Sequence, residues 1–481
     1  MNDVNEAAVE SQKPAEFVEQ ALYEIRKKIY PRAVTGKFAS ARWLFVWLTQ
    51  LVFYGAPWLV WNDRQAVLFD LASRKFYIFG LVFWPQDIVY LTALLIISAY
   101  SLFLFTAVAG RLWCGFACPQ TVYTEMFMWI ERKVEGERTA RMKLDKEANT
   151  ARKLRLKATK HALWIALALW TGFTFVGYFT PIQPLFADVV ALQVGGWSAF
   201  WILFYGFATY GNAGWMREQV CKYMCPYARF QGVMFDPDTL IITYDAERGE
   251  PRGARNKSVD YKAKGLGDCV DCGICVQVCP TGIDIRKGLQ YECIGCGACV
   301  DGCNQVMGKM GYAKGLIRYS TENAIKGHLN NQEIRRRAVR PRILIYTSIL
   351  IAVMVIATFT LYHRVPVKVD VIRDRANTMR GSDEPVVENV YRLQIMNTDE
   401  VPREFTVRVG GLEKMKIESE TLPITVPGAT NRVLPVRVQV ERGDLEAGSH
   451  RIEFTVEARD PAQGTAAQPI LIHEKASFVL Q

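Results

Sequence analysis

Twelve cysteines, all in ligand-like spacings, constrain this 481-residue chain more than any other feature. Eight form two runs, Cys269-x2-Cys272-x2-Cys275-x3-Cys279-Pro280 and Cys293-x2-Cys296-x2-Cys299-x3-Cys303. The other four form two Cys-x3-Cys-Pro motifs, Cys114/Cys118/Pro119 and Cys221/Cys225/Pro226. A [4Fe–4S] cube needs four thiolates on a compact loop, which the C-x2-C-x2-C-x3-C-P run supplies. In two-cluster ferredoxins the fourth cysteine of each run ligates the other run's cluster. The spacing therefore predicts Cys269, Cys272, Cys275 and Cys303 on one cluster, and Cys279, Cys293, Cys296 and Cys299 on a second. Gly273, Gly295, Gly297 and Ala298 lie between the ligands and are small enough for backbone N–H groups to approach the sulfurs. Asn304, not proline, follows Cys303, a departure that removes no ligand. Structural zinc usually shows two Cys-x2-Cys pairs, not four cysteines in a row twice over.

Half the residues are hydrophobic and 12% are aromatic, and the excess lies in apolar runs. A spanning helix needs about 20 apolar residues. Five spans are expected: about Ala41–Trp61, Ile88–Gly110, His161–Thr180, Trp197–Tyr210 extended by the apolar residues before it, and Ile343–Tyr362. The stretch Phe76–Trp84 is too short to span and is expected to be interfacial or re-entrant. Residues 1–25 are polar and acidic and do not read as a signal peptide, so the first span is expected to be a retained anchor. The net charge of +10 sits beside the apolar runs, which points to the bilayer and not to nucleic acid. The loop after the second span carries eleven Lys and Arg between Arg132 and Lys160, and five arginines between Arg335 and Arg342 precede the last span. Residues 181–196 hold none. By the positive-inside rule the N-terminus is cytoplasmic and the C-terminus external. Arg64, Arg74 and Lys75 then lie outside, a mild conflict that a short loop tolerates.

The expected architecture is a multi-domain membrane protein. Residues 1–40 form a cytoplasmic segment, 41–235 a four-span α-helical region carrying both Cys-x3-Cys-Pro motifs, and 236–330 an inserted cytoplasmic dicluster ferredoxin-like domain. A last transmembrane helix, 341–363, leads to a periplasmic domain, 365–481. There, alternating stretches at Val390–Met396, Glu404–Val409, Arg432–Val440, Arg451–Ala458 and Ala476–Leu480 predict an all-β, immunoglobulin-like sandwich with a protein-contact role. It lacks the Cys…Trp…Cys pattern of antibody domains.

A pair of spans followed by Cys-x3-Cys-Pro occurs twice, around Arg111–Gln120 and around Arg217–Tyr227, so a duplicated helix pair could bring the motifs face to face. On a helix, residues i and i+4 share a face about 5–6 Å apart, and Pro119 and Pro226 stand where a helix would break or restart. Cys114, Cys118, Cys221 and Cys225 together would make a four-sulfur site. Thiolates select Cu(I), zinc or iron–sulfur centres, and the spacing leaves copper and a further iron–sulfur cluster open. Met126, Met128, Met216 and Met224 nearby read mainly as helix packing. Only five histidines exist, none of them mid-span, so a membrane haem b is not expected. His161 and His363 read as interfacial side chains.

With Trp113-Cys114-Gly115-Phe116-Ala117-Cys118-Pro119, Cys221-Lys222-Tyr223-Met224-Cys225-Pro226, the dicluster insert, the last span and the outer β-domain in this order, nearly the whole chain resembles the FixG/CcoG/RdxA cytochrome c oxidase accessory family. The resemblance implies a bacterial inner-membrane protein that serves assembly of cbb3-type oxidase. It implies two [4Fe–4S] clusters, copper binding, and reduction of Cu(II) to Cu(I). The Cu(I) would pass to a copper-exporting P-type ATPase or a copper chaperone. It leaves the electron donor unknown and a homodimer open. A quinol-linked electron-transfer subunit and a redox-sensing assembly scaffold are the alternatives.

Overall fold

The computed structural model describes residues 28–374, 386–412, 415–419, 422–441, 448–461 and 469–480. The polar segment 1–25 lies outside the described residues, as does the rest of the chain up to residue 27. Helices stand at all five expected span positions: α1 (Lys37–Gly55), α2 (Ile88–Ala109), α5 (Ala151–Val176), α6 (Gly196–Thr209) and α9 (Pro341–Tyr362). Between them lie α3 (Leu112–Phe116), α4 (Pro119–Glu135), α7 (Pro226–Met234) and α8 (Ala298–Met310). Among the described residues, two helices are long and apolar enough to cross a membrane, Pro85–Ala109 and Pro341–Tyr362. The other three are short or mixed. α1 buries Arg42, α5 opens with a basic stretch, and α6 has 14 residues before its ladder widens to a π-helix at Tyr210–Met216. The apolar residues before α6 do not extend it, because Ile182–Val190 is a separate helix. α5 and α6 approach closely where Gly172 faces Ile202 and Gly206 faces Ala168 and Leu169, as small residues allow between packed helices.

The stretch Phe76–Trp84, expected to be interfacial or re-entrant, is part of a three-stranded antiparallel sheet of β1 (Val67–Asp70), β2 (Lys75–Ile78) and β3 (Leu81–Phe83). A short apolar run fits a strand as well as a buried helix, and the left-handed Phe79 with Gly80 makes a hairpin here. Val82 and Trp84 pack on Met396 of the C-terminal domain.

That domain is a sandwich. One sheet holds β6 (Val367–Arg373), β7 (Val386–Asn397), β11 (Thr430–Glu441) and β9 (Lys416–Glu418). The other holds β10 (Ile424–Val426), β8 (Arg403–Gly410), β12 (Gly448–Arg459) and β13 (Ile470–Leu480). All five expected strands lie within β7, β8, β11, β12 and β13. Alternate residues face inward, so Tyr391, Leu393 and Ile395 meet Phe405, Phe454, Val456 and Phe478 in the core.

Contacts sort the helix connections into two groups. Residues 62–87 touch the sandwich through Arg64–Glu400, Lys75–Ala429 and the buried Asp87, which accepts from Arg364 and Lys368. They also touch the start of the α5–α6 connection, through Phe69–Tyr178 and Gln65–Ile182. The segment before α1 instead meets the helix Arg138–Lys146 after α4 and the cysteine-rich region, through Lys28–Asp145 and Arg32–Gln277.

Candidate metal centres

In the cysteine-rich region, β4 (Ile241–Tyr244) pairs with β5 (Ile317–Ser320), and α8 packs beside them. Gly273, Gly295 and Gly297 adopt left-handed conformations that turn the ligand loops inward, a geometry that suits glycine. Cys269, Cys272, Cys275 and Cys303 line one cavity. Cys279, Cys293, Cys296 and Cys299 line a second, with Cys275 at its wall. The sequence grouped the eight cysteines the same way, each fourth cysteine crossing to the other run.

The donor chemistry fits a multi-iron cluster. Burial pushes the thiols of Cys293 and Cys303 up to about 12 and that of Cys275 to about 11, and neighbouring cysteines add to the rise at Cys293 and Cys303. Cys296 and Cys299 shift the same way, first through burial. Such thiols ionise only when a cationic centre takes the thiolates. Among the described residues, no three His, Cys, Asp or Glu side chains converge on a single ion. Groups set around a cube need not do so.

The Cys-x3-Cys-Pro motifs depart from one continuous helix. Cys114 lies in α3, but Cys118 is extended and Pro119 starts α4. Cys221 lies in a π-helical turn, Val220–Met224, and the extended Cys225 precedes Pro226 at the start of α7. Proline pushes the residue before it out of the helical region and suits the first helical position, so each pair straddles a break. The two motifs approach each other, although among the described residues no three of their cysteines converge on a single ion. Cys114 lies within electrostatic range of Cys118 and Cys221, and Cys118 of Cys225. The cross-links run between the repeats: Gln231 of α7 sits 3.4 Å from the Cys114 sulfur, and the Gln120 amide of α4 donates to the Asn212 and Arg217 carbonyls at 2.9 and 3.0 Å. Burial pushes Cys114 and Cys221 up to about 12.

This four-cysteine group rests on the second quartet. Cys114 and Cys221 pack against its core. Gly115 is so close to the loop between Cys293 and Cys296 that a Cβ on it would stand 2.6 Å from the Gly295 carbonyl oxygen. Sequence reasoning missed the residues that make this junction: Gly115, Gln231, Arg111 and Arg42. One signal was available for Arg111, since an arginine heads each motif, Arg111 and Arg217. Of the four methionines near the motifs, Met128 is buried on α4. His161 bonds Tyr210 at 2.9 Å and packs edge-on to Trp164.

Residues 216–322 match the family description of a 4Fe-4S dicluster domain, 91–136 that of a 4Fe-4S binding domain, and 357–480 that of the immunoglobulin-like fold at the C-terminus of FixG. The chain is 35% identical over 478 residues to the nitrogen fixation protein FixG of Rhizobium meliloti, covering 92% of this chain and 91% of that one. It is 36% identical over 430 residues to protein RdxA of Cereibacter sphaeroides, covering 87% and 90%. A crystal structure of a FixG-related protein from Vibrio parahaemolyticus is 23% identical, covers 24% of this chain and 96% of its own, and superposes with a TM-score of 0.20. The two cysteine-rich iron–sulfur regions and the C-terminal sandwich are thus those of an iron–sulfur electron-transfer protein, and the chain belongs to the FixG family.

Proposed function

We propose that this chain is a multi-pass inner-membrane electron-transfer protein that reduces Cu(II) to Cu(I) at Cys114, Cys118, Cys221 and Cys225. The observation that carries the reading is the contact between this all-sulfur group and the loop of the second quartet. Cys269, Cys272, Cys275 and Cys303 hold one [4Fe–4S] cluster, and Cys279, Cys293, Cys296 and Cys299 the other. When bound, each stores one electron. A soluble cytoplasmic reductant supplies the electron, and Cu(II), the substrate, takes it to become Cu(I). Cluster potentials reach well below zero and thiolates prefer Cu(I), so both favour this direction.

Five crossings are supported by the helices at all five positions and by the two groups of contacts. The loop 62–87 and the sandwich share one end, and the 28–38 segment and the cysteine-rich region share the other. Exposed apolar side chains such as Leu51, Trp197 and Phe207 suit a lipid surround. The sandwich is then periplasmic and the clusters cytoplasmic. Delivery of Cu(I) to a P-type exporter or chaperone for cbb3-type oxidase assembly completes the reading.

The match of residues 91–136 to a 4Fe-4S binding domain favours a second reading, in which the same four cysteines hold a further cluster. The test is anaerobic. Cu(II) is added to the reduced, detergent-solubilised protein, and cluster reoxidation is followed against Cu(I) trapped by a chelator. One-to-one Cu(I) formation, lost when Cys114, Cys118, Cys221 and Cys225 all become serine while the spectrum of the two clusters stays, is the expected result. Iron content falling by a third in that variant would establish the second reading.

A further inference from the structure

Two buried arginines from the membrane-helix region face the second quartet. Arg42 comes from α1 and Arg111 from the α2–α3 junction, at 8% and 5% exposed. Arg111 donates from Nη1 to the carbonyls of Tyr291 and Cys293, and from Nη2 to that of Ala228 at 2.6 Å. These partners are neutral, and no carboxylate pairs with Arg111 among the described residues. Its Nε is buried without an acceptor, and so is that of Arg42. The only carboxylate paired with Arg42 among the described residues is Glu125, 3.7 Å away and shared with Arg132. Arg111 lies within electrostatic range of Cys293 on one side and of Cys114 and Cys221 on the other. Arg42 stands in the same relation to Cys296.

The first quartet has a different surround. Two arginines stand beside it: Arg286 is tied to Asp284 at 2.7 and 2.8 Å and to Asp271 at 2.5 Å, so its charge is spent on two carboxylates, and Arg255, only half-buried, donates to the Cys269, Gly253 and Gly267 carbonyls. Cys272 of this quartet is exposed and its other three cysteines are buried, whereas in the second Cys296 and Cys299 are buried and Cys279 and Cys293 half-buried.

Reduction adds a negative charge, and nearby charge and hydrogen bonds to sulfur tune the potential of a cluster. Burial alone penalises the added charge at the second quartet. Two buried guanidiniums work against that penalty: Arg111, which has no carboxylate partner among the described residues, and Arg42, which shares Glu125 with Arg132. We propose that Arg111 and Arg42 make the cluster of the second quartet the stronger electron acceptor of the two, so that electrons arrive at the solvent-facing first quartet and leave beside Cys114 and Cys221. This rests on the two-cluster reading above and not on copper as substrate. Arg111 is a positioning residue here: it sets the direction of transfer and touches no substrate.

The experiment is an anaerobic redox titration of the full-length protein followed by electron paramagnetic resonance, with no copper present. Cys272→Ser marks the signal of the first cluster. The wild type should show two midpoints, the higher belonging to the unmarked cluster. Arg111→Gln should lower that midpoint alone, by at least a tenfold fall in its reduction equilibrium constant, about 59 mV for one electron. Arg111→Lys should restore most of it. Should Arg111→Gln fail to assemble, Arg42→Gln carries the same expectation. Midpoints that do not move, or a shift confined to the marked cluster, overturn the proposal. Absence of both signals from the wild type overturns the two-cluster reading itself, whereas loss of Cu(II) reduction alone leaves this titration unaffected.

Discussion

Gly115→Ala tests whether contact between the first Cys-x3-Cys-Pro motif and the second quartet's loop matters. Gly115 is in the short helix α3 with an ordinary helical backbone, so alanine fits its conformation. Helix propensity alone favours the substitution by about 0.5–1 kcal/mol. Packing opposes it. The new Cβ would stand 2.6 Å from the Gly295 carbonyl oxygen, 2.8 Å from its carbon and 2.9 Å from the Ile294 oxygen. All three are backbone atoms, so no flexible side chain can yield. Overpacking costs about 1–3 kcal/mol, and three simultaneous backbone clashes place this site at about 2–3 kcal/mol by that scale. The net loss is roughly 1–2.5 kcal/mol, which lowers the docking equilibrium about 5- to 70-fold. The assay is the rate of cluster reoxidation by Cu(II) in protein whose iron content matches the wild type. Gly232→Ala in α7, where a Cβ meets nothing within 4 Å, is the control and should react at the wild-type rate. A Gly115→Ala protein as fast as that control would refute the idea that this contact is the electron path.

Two further outcomes follow from buried charges. Asp301, between Cys299 and Cys303, accepts from the Ala39 amide at 2.8 Å and so caps α1; Asp301→Ala should destabilise the protein by about 0.5–2 kcal/mol, read as a fall in midpoint denaturant concentration. Glu131, at 1% exposed, accepts from Arg217 at 2.9 Å and Arg141 at 3.2 Å, and Glu131→Gln should cost about 3–5 kcal/mol because two buried guanidiniums lose their counter-charge. Burial alone would raise the Glu131 carboxyl, but Arg217 and Arg141 hold it below the usual carboxylate range. Its contribution is therefore complete above the ordinary carboxylate pKa of about 4.3 and is lost as pH falls through the lower folded value, a decline in thermal midpoint that the Gln variant should lack.

The parts of this protein that were legible in sequence are those whose chemistry demands a residue type at a local spacing. Eight cysteines in two runs sufficed to group the quartets, crossing included, because cluster ligation restricts both identity and separation. Alternation exposed the long strands of the sandwich, but β9 and β10, with three residues each, are too short to show a period. The strands within Phe76–Trp84 were not legible for the same reason, since so short an apolar stretch carries no clear period. The π-helical turns around Cys221 were invisible because they are imposed by packing against α4 and by Pro226. The least legible feature was the junction itself. Nothing local announces that Gly115 must lack a side chain, or that Arg111 should turn towards Cys293 while Arg217, heading the other motif, turns to Glu131.

That divergence between the repeats is informative. A duplicated helix pair would by itself give a symmetric four-sulfur site, with both arginines in the same role. Here one repeat commits its arginine to a buried ion pair within the helical region, and the other keeps its arginine unneutralised against the iron–sulfur loop. Symmetry suffices for binding a metal ion between the motifs. On the proposed reading, moving an electron into that site makes use of the asymmetry, because it is Gly115 and Arg111 of the first repeat that meet the second quartet's loop. The glycine at position 115 and the arginine at 111 lie in the same repeat, four residues apart, and both act on the same loop. The first motif is thus one of the junctions between the cysteine-rich region and the helical region, beside the Ala39–Asp301 contact of α1, and on the proposed reading substitutions there should affect transfer more than the matching changes around Arg217 and Lys222.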